Sequence, residues 1–139
     1  MHEDDIFEIN EHTLPVIRQM AEHMPGGFFI YHADGDESFI LINQAMLRLT
    51  GCDTEEQFRE LTHNSFLHFV HPDDIAETEA SISEQIEKDE YGNDYVEYRI
   101  TCRDGSEKWI RDYGHAVHTE AYGDVFYVFV NDATEQHKR

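Results

Sequence analysis

Positive charge is the first thing this chain lacks. Ten Lys and Arg stand against thirty Asp and Glu, a formal charge of -20 at pH 7. A field of that sign repels phosphate backbones and anionic lipid surfaces, which argues against nucleic-acid binding and membrane contact. Cysteine is almost missing. Cys52 and Cys102 show neither metal-ligand spacing nor a disulfide framework, so they read as free thiols in or near a core in a reducing compartment. Long apolar runs are missing too: Phe28–Tyr31 and Phe39–Ile42 fall far short of the ~20 residues that cross a bilayer. The acidic start Met1-His2-Glu3-Asp4-Asp5 has no basic region of a signal peptide, so the expected location is cytoplasmic. No Gly-rich phosphate loop and no Gly-x-Ser-x-Gly elbow occurs, which leaves an enzyme reading little to stand on.

What is present is an aromatic-rich, foldable composition. The chain has 139 residues, 40% apolar, with 9 Phe and 7 Tyr. A single domain of that size buries roughly two-thirds of its unfolded surface, enough for a real core and one pocket. Leu14, Ile17, Met20, Ala21 and Met24 recur at helical spacing, with Thr13 as the expected cap and Pro15 tolerable in the first turn. Ile6, Phe7 and Ile9 suggest a short lead-in, and Pro25-Gly26-Gly27 stops the element. Two aromatic and β-branched runs, 28–32 and 38–43, flank Asp34-Gly35 and read as a hairpin. Short helical pieces follow through residue 70. His71-Pro72-Asp73-Asp74 then opens a longer helix carrying Ile75, Ile82 and Ile86, with its carboxylates beside the positive end of the dipole. Strands over 95–102, 107–119 and 125–132 complete an α+β order.

Alternation puts Val96, Tyr98, Ile100 and Cys102 on the interior face of the first of these strands. In the last strand Phe126, Val128 and Val130 face the core, yet Val125, Tyr127 and Phe129 are apolar as well and need cover. The stripe of the N-terminal helix supplies it, from its own or a partner chain.

Several segments together resemble the PAS family: Asn43 before the first short helix, His71-Pro72-Asp73-Asp74, Glu97-Tyr98-Arg99-Ile100, Asp104-Gly105-Ser106 with Trp109 and Gly114, and Asp132-Ala133-Thr134-Glu135. The resemblance covers residues 26–135. It implies a five-stranded antiparallel sheet with short helices and one longer helix on one face, preceded by an amphipathic helix over 1–25 covering the outer face and followed at 136–139 by a linker. It also implies a bacterial sensory module without catalysis of its own, forming a homodimer and feeding a C-terminal output domain in the same chain. The stretches 61–66 and 122–127 are further similar to modules ahead of diguanylate cyclase domains; a histidine kinase of a two-component system is the other expected output. No histidine-kinase phosphoacceptor box or diguanylate cyclase signature lies in this stretch. The family's ending reads Asp-Ile-Thr-Glu-Arg-Lys. Here Ala133 replaces Ile, and Gln136-His137-Lys138 replaces Arg-Lys, which predicts a looser junction.

The pocket implied between the inner sheet face and the short helices is lined by Phe29, Tyr31, Leu41, Asn43, Leu47, Phe66, Tyr98, Ile110 and Val128, with Asn43 and the tyrosine hydroxyls as polar handles. Asp132, Thr134 and Glu135 form the signalling junction. Ile17, Ala21, Met24, Trp109, Tyr113, Tyr127 and Phe129 form the outer or dimer face, where Trp109 is expected to meet the N-terminal helix or a partner. The ligand itself is unknown. A haem needs an axial histidine, and 73–90 has none; His68 and His71 are the nearby candidates, read instead as a packed wall and a helix cap. A photoactive flavin needs Gly-x-Asn-Cys-Arg where this chain has Ser65-Phe66-Leu67-His68-Phe69. A covalent chromophore on Cys52 is disfavoured against a packed thiol. Asp34-x-Asp36 lacks the other ligands of a calcium loop, and Asp73-Asp74 reads as capping. Two rival readings remain: a ligand-free dimerisation scaffold, and a small α+β hydrolase or isomerase acting through Asp112.

Overall fold

A computed structural model describes residues 8–138. Five strands form one antiparallel sheet: β1 Gly27–His32, β2 Phe39–Ile42, β3 Asn93–Thr101, β4 Glu107–Thr119 and β5 Gly123–Asp132. Their spatial order is β2-β1-β5-β4-β3, so the last strand lies at the centre of the sheet. That position explains why β5 is apolar on both faces.

The inner face carries α2 Gln44–Thr50, α3 Glu55–Leu61, α4 Phe66–Phe69 and the long α5 Ile75–Lys88, which a 3-10 turn Pro72–Asp74 introduces. Each short helix starts on a side-chain cap of the expected kind. Asn43, Thr54 and Ser65 accept hydrogen bonds from the backbone NH groups of Met46, Gln57 and Leu67. His71 caps the 3-10 turn by accepting from the Asp73 NH. Asp74 does not cap. Its carboxylate accepts from the Arg99 backbone NH, Nε and Nη2 at 2.9, 3.0 and 2.7 Å, tying the start of the long helix to β3. Hydrogen bonding to Arg99 holds the Asp74 carboxyl below its ordinary value. His68, expected in a wall, is exposed and meets His63 edge to face.

On the outer face α1 Leu14–Ala21 covers the β2–β1–β5 half. Ile9 and Ala21 are fully buried there with Ile30, Leu41 and Val125. Met20, counted in the covering stripe, instead points to solvent. Thr13 makes no capping bond; Asn10 Oδ1 accepts from the NH groups of His12 and Thr13, and the Thr13 hydroxyl turns back to Glu8. Of the expected lead-in, Ile6 and Phe7 lie outside the described residues.

Candidate functional site

Register decides which side chains can line a pocket. Phe29 pairs with Val128 and Tyr31 with Phe126, and across the sheet Gly114 pairs with Val128 and Asp94 with Gly114. All of these except Gly114 point a side chain at the helices. The middle of the inner face is filled: Phe29, Leu47, Phe66, Tyr98, Ile110 and Val128 pack in one cluster, with Tyr31 and Phe66 stacked at 4.5 Å and Phe29 and Phe66 at 5.9 Å. Of the nine side chains expected to line the pocket, only Tyr31 borders a cavity. That cavity, about 320 Å³, opens between α5 and the edge of β1 and β5, against Tyr31, Glu37, Glu79, Ile82, Ile86 and Phe126.

Leu41 is a correction. It packs on the outer face with Ile30 and Ala21. The β1–β2 ladder is irregular between Ile30 and Tyr31: Phe39 lies opposite Tyr31, while Leu41 lies opposite Ile30. One residue is inserted, and past it the alternation is rotated so that Ile42 takes the inner position. Asn43 is buried but fully engaged. Its Oδ1 accepts from the NH groups of Phe28 and Met46, and its Nδ2 donates to the carbonyls of Ala21 and Gly26. These bonds latch α1, β1 and α2 together and leave no donor or acceptor for a ligand.

Carboxyls dominate the electrostatics under α5. Asp112 is 2% exposed and accepts from the Tyr98 hydroxyl at 2.6 Å; burial pushes it up to about 8. Asp94 is pushed up to about 6, also by burial, and its Oδ1 has no partner. It folds over Gly114, where a Cβ would lie 2.7 Å from its Oδ2 and would push the carboxylate aside. At the cavity mouth Glu37 is pushed up to about 8 by burial and then by the Glu79 charge. Burial and the fields of Asp112, Glu37, Asp94 and Glu79 raise the Tyr31 phenol well above its usual value. Among the described residues no Lys, Arg or His lines the cavity, and no group of three His, Cys, Asp or Glu side chains is placed to hold a metal ion.

Beyond Tyr31 and Asp112, Phe126 was read from the sequence, while Asp94 and Glu79 were missed although both left a signal. Asp94 shares the inward parity of Val96 and Tyr98, and Glu79 falls between Ile75 and Ile82 on the stripe that α5 turns to the core. A carboxylate on an apolar face is a signal in itself. Phe126 was placed inward by alternation. Glu37 sits in the hairpin loop and no periodicity points to it.

The second expected site is the chain's exit, α6 Thr134–His137. Asp132 Oδ1 accepts from the Thr134 NH at 2.9 Å and hydroxyl at 2.6 Å. Thr134 Oγ1 in turn accepts from the Trp109 NH, and the Ala133 NH donates to the Trp109 carbonyl at 2.7 Å. Glu135 is exposed. Trp109 does lie on the outer face, but it meets neither α1 nor its edge of the sheet. Its ring stacks on His137 with centroids 3.9 Å apart, and His137 also contacts Glu97. Strand order is the reason: β4 is separated from β1 by β5, so α1 and α6 cover opposite halves of the outer face. The exit nevertheless borders the start of β1, since a Cβ at Gly26 would meet the Asn131 side chain at 2.7 Å.

A family model described as the PAS fold matches residues 39–131. No curated protein matches the chain. Among solved structures, an RNA-binding light-oxygen-voltage receptor is 17% identical with a TM-score of 0.66, over 94% of this chain and 36% of that one, so the chain spans about a third of that receptor's length. A PAS domain from a two-component sensor histidine kinase is 14% identical with a TM-score of 0.66, over 88% of this chain and 97% of that one. The N-terminal domain of a diguanylate cyclase with PAS/PAC sensor from Marinobacter aquaeolei is 20% identical with a TM-score of 0.56, over 80% and 97%. The matched span takes in four of the five strands and every inner-face helix, and the chain belongs to the PAS fold family of sensory domains.

Proposed function

We propose that this chain is the input module of a larger signalling protein, in which a small molecule enters the cavity under α5 and the response leaves through Asp132 and Thr134. The observation that carries this reading is the cavity itself: an inner face otherwise filled by aromatic rings keeps about 320 Å³ open beside Glu79, whose Oε1 is buried without a partner. The side chains that fill the rest of the inner face hold Tyr31 in place rather than touch a ligand. At the exit, hydrogen bonds join α6 to β4, so a shift of the sheet alters how α6 docks. The output domain is a diguanylate cyclase or a histidine kinase, a reading supported by the kinds of protein whose sensory domains share this fold. The setting is a bacterial cytoplasm.

The module acts by binding, not by catalysis. Asp112, the residue an enzyme would use, is sealed behind Tyr98 and borders no cavity. A scaffold reading has one observation in its favour. An apolar groove of about 220 Å³ on the outer face is lined by Ile17, Met24, Phe28, Tyr127 and Met20, which is 63% exposed. A second copy seated there would cover it. Native mass spectrometry of the purified chain, compared with its denatured mass, separates the two readings: a reproducible extra small-molecule mass supports sensing, and a clean apo dimer supports the scaffold.

A further inference from the structure

The geometry points to an organic cation with an apolar body, such as an arylalkyl ammonium ion, as the ligand class of the cavity under α5, bound between Glu37 and Glu79. This rests on the sensory reading of the same cavity. Charge complementarity is its first support. Glu37 and Glu79 face each other across the mouth, Glu79 Oε1 is buried without a hydrogen-bond partner, and no basic side chain among the described residues lines the cavity to neutralise them. Asp94 does not line the cavity; it lies behind it on β3, buried and with its Oδ1 unpartnered above Gly114, and adds to the negative field at Tyr31. Buried carboxylate oxygens without donors are costly, and an ammonium group supplies the missing donors and the missing charge at once.

The backbone is the second support. Glu37 is held at φ +53°, a conformation that a non-glycine residue rarely adopts, and its carbonyl accepts from the Phe66 NH at 2.9 Å. That bond fixes the turn to the start of α4, and the Glu37 carboxyl on it lies beside Glu79. The apolar wall of Ile82, Ile86 and Phe126 is the third. It fits a hydrocarbon body, and a bare metal ion would find no group of three ligating side chains among the described residues.

Proton linkage gives the reading a direct signature. The groups facing the cavity are Glu37 from the hairpin, Glu79 and Glu87 from α5 and Tyr31 from β1, with Asp94 and Asp112 behind them on β3 and β4. Glu37, raised to about 8, holds a proton at pH 7, so a bound cation expels it. The test is a titration of the isotope-labelled whole chain with phenethylammonium, the neutral 2-phenylethanol and Ca²⁺, followed by amide NMR and by calorimetry at pH 7 in buffers of different ionisation enthalpy. The inference expects phenethylammonium to shift amides at Ala33, Glu79 and Phe126, with proton release and at least tenfold tighter binding than 2-phenylethanol. In Glu37→Gln/Glu79→Gln, which keeps the size and shape of both side chains and so retains the fold, the preference for the cation disappears while the alcohol binds as before. Equal binding of cation and alcohol, an unchanged preference in the double variant, or the same shifts with Ca²⁺ overturns the cation class and leaves the sensory reading standing. Absence of shifts at those amides with all three probes overturns both.

Discussion

At the scale of single residues, the buried carboxyls set how the fold answers to pH. Asp112 is raised from 3.8 to about 8 and Asp94 from 3.8 to about 6, so the folded chain holds protons that the unfolded chain releases near pH 4. Stability therefore falls as pH rises from about 4 to about 8, with a slope of up to about 1.4 kcal/mol per pH unit for each fully buried group. Asp112→Asn keeps an acceptor for the Tyr98 hydroxyl and removes the titration. Urea unfolding at several pH values should show the variant more stable than the parent at pH 8, with a shallower decline between pH 4 and 8; parallel curves would mean that Asp112 does not carry the effect. Surface repulsion from the net charge acts on both proteins alike and drops out of the difference.

At the scale of elements, the sequence displayed regular features and concealed irregular ones. The inward set of β3 follows from a strict period of two, and the boundaries of β4 from the turn residues on either side of it. The cap of α3 follows from Thr54, whose side chain has one local task, whereas Asn43 caps α2 and also makes bonds to Phe28, Ala21 and Gly26 that no local pattern records. Leu41 could not be read that way, because the inserted residue in the β1–β2 ladder leaves no mark on the hydrophobic pattern. The partner of Trp109 was equally hidden, since strand order is a property of the whole sheet. Of the site, the tyrosine wall was legible, whereas the filled centre was not: whether rings pack or leave space depends on volumes that a pattern does not record. The re-placed Leu41 is open to test. Leu41→Ala should cost about 2–4 kcal/mol in denaturant unfolding, as for a buried leucine, while small-molecule binding in the inner cavity stays within twofold of the parent. A tenfold loss of binding would return Leu41 to the inner face.

At the scale of the whole molecule, the two covers of the outer face divide its work. α1 hides Phe28, Ile30, Leu41 and Val125 over one half, and α6 leans on Trp109 over the other. On the β3–β4 side the paired Tyr95 and Tyr113 stay partly exposed, 39% and 49%. Removing residues 1–24 uncovers the first half, and the truncated chain should aggregate or change its oligomeric state in sedimentation; unchanged mass and solubility would show that α1 is dispensable as cover. With a net charge of -20, any pairing of copies through this face should strengthen with salt. The cavity and the exit lie on opposite faces of the sheet, joined by β5 and β4, and the sensory account requires them to be coupled. Trp109 is the chain's single tryptophan and its ring rests on α6, so its fluorescence reports the docking of the exit directly. Phenethylammonium added at concentrations that saturate the cavity should change the emission of Trp109 in the parent chain and leave it unchanged in Glu37→Gln/Glu79→Gln. Constant emission while amide NMR shows the parent's cavity occupied would contradict the account.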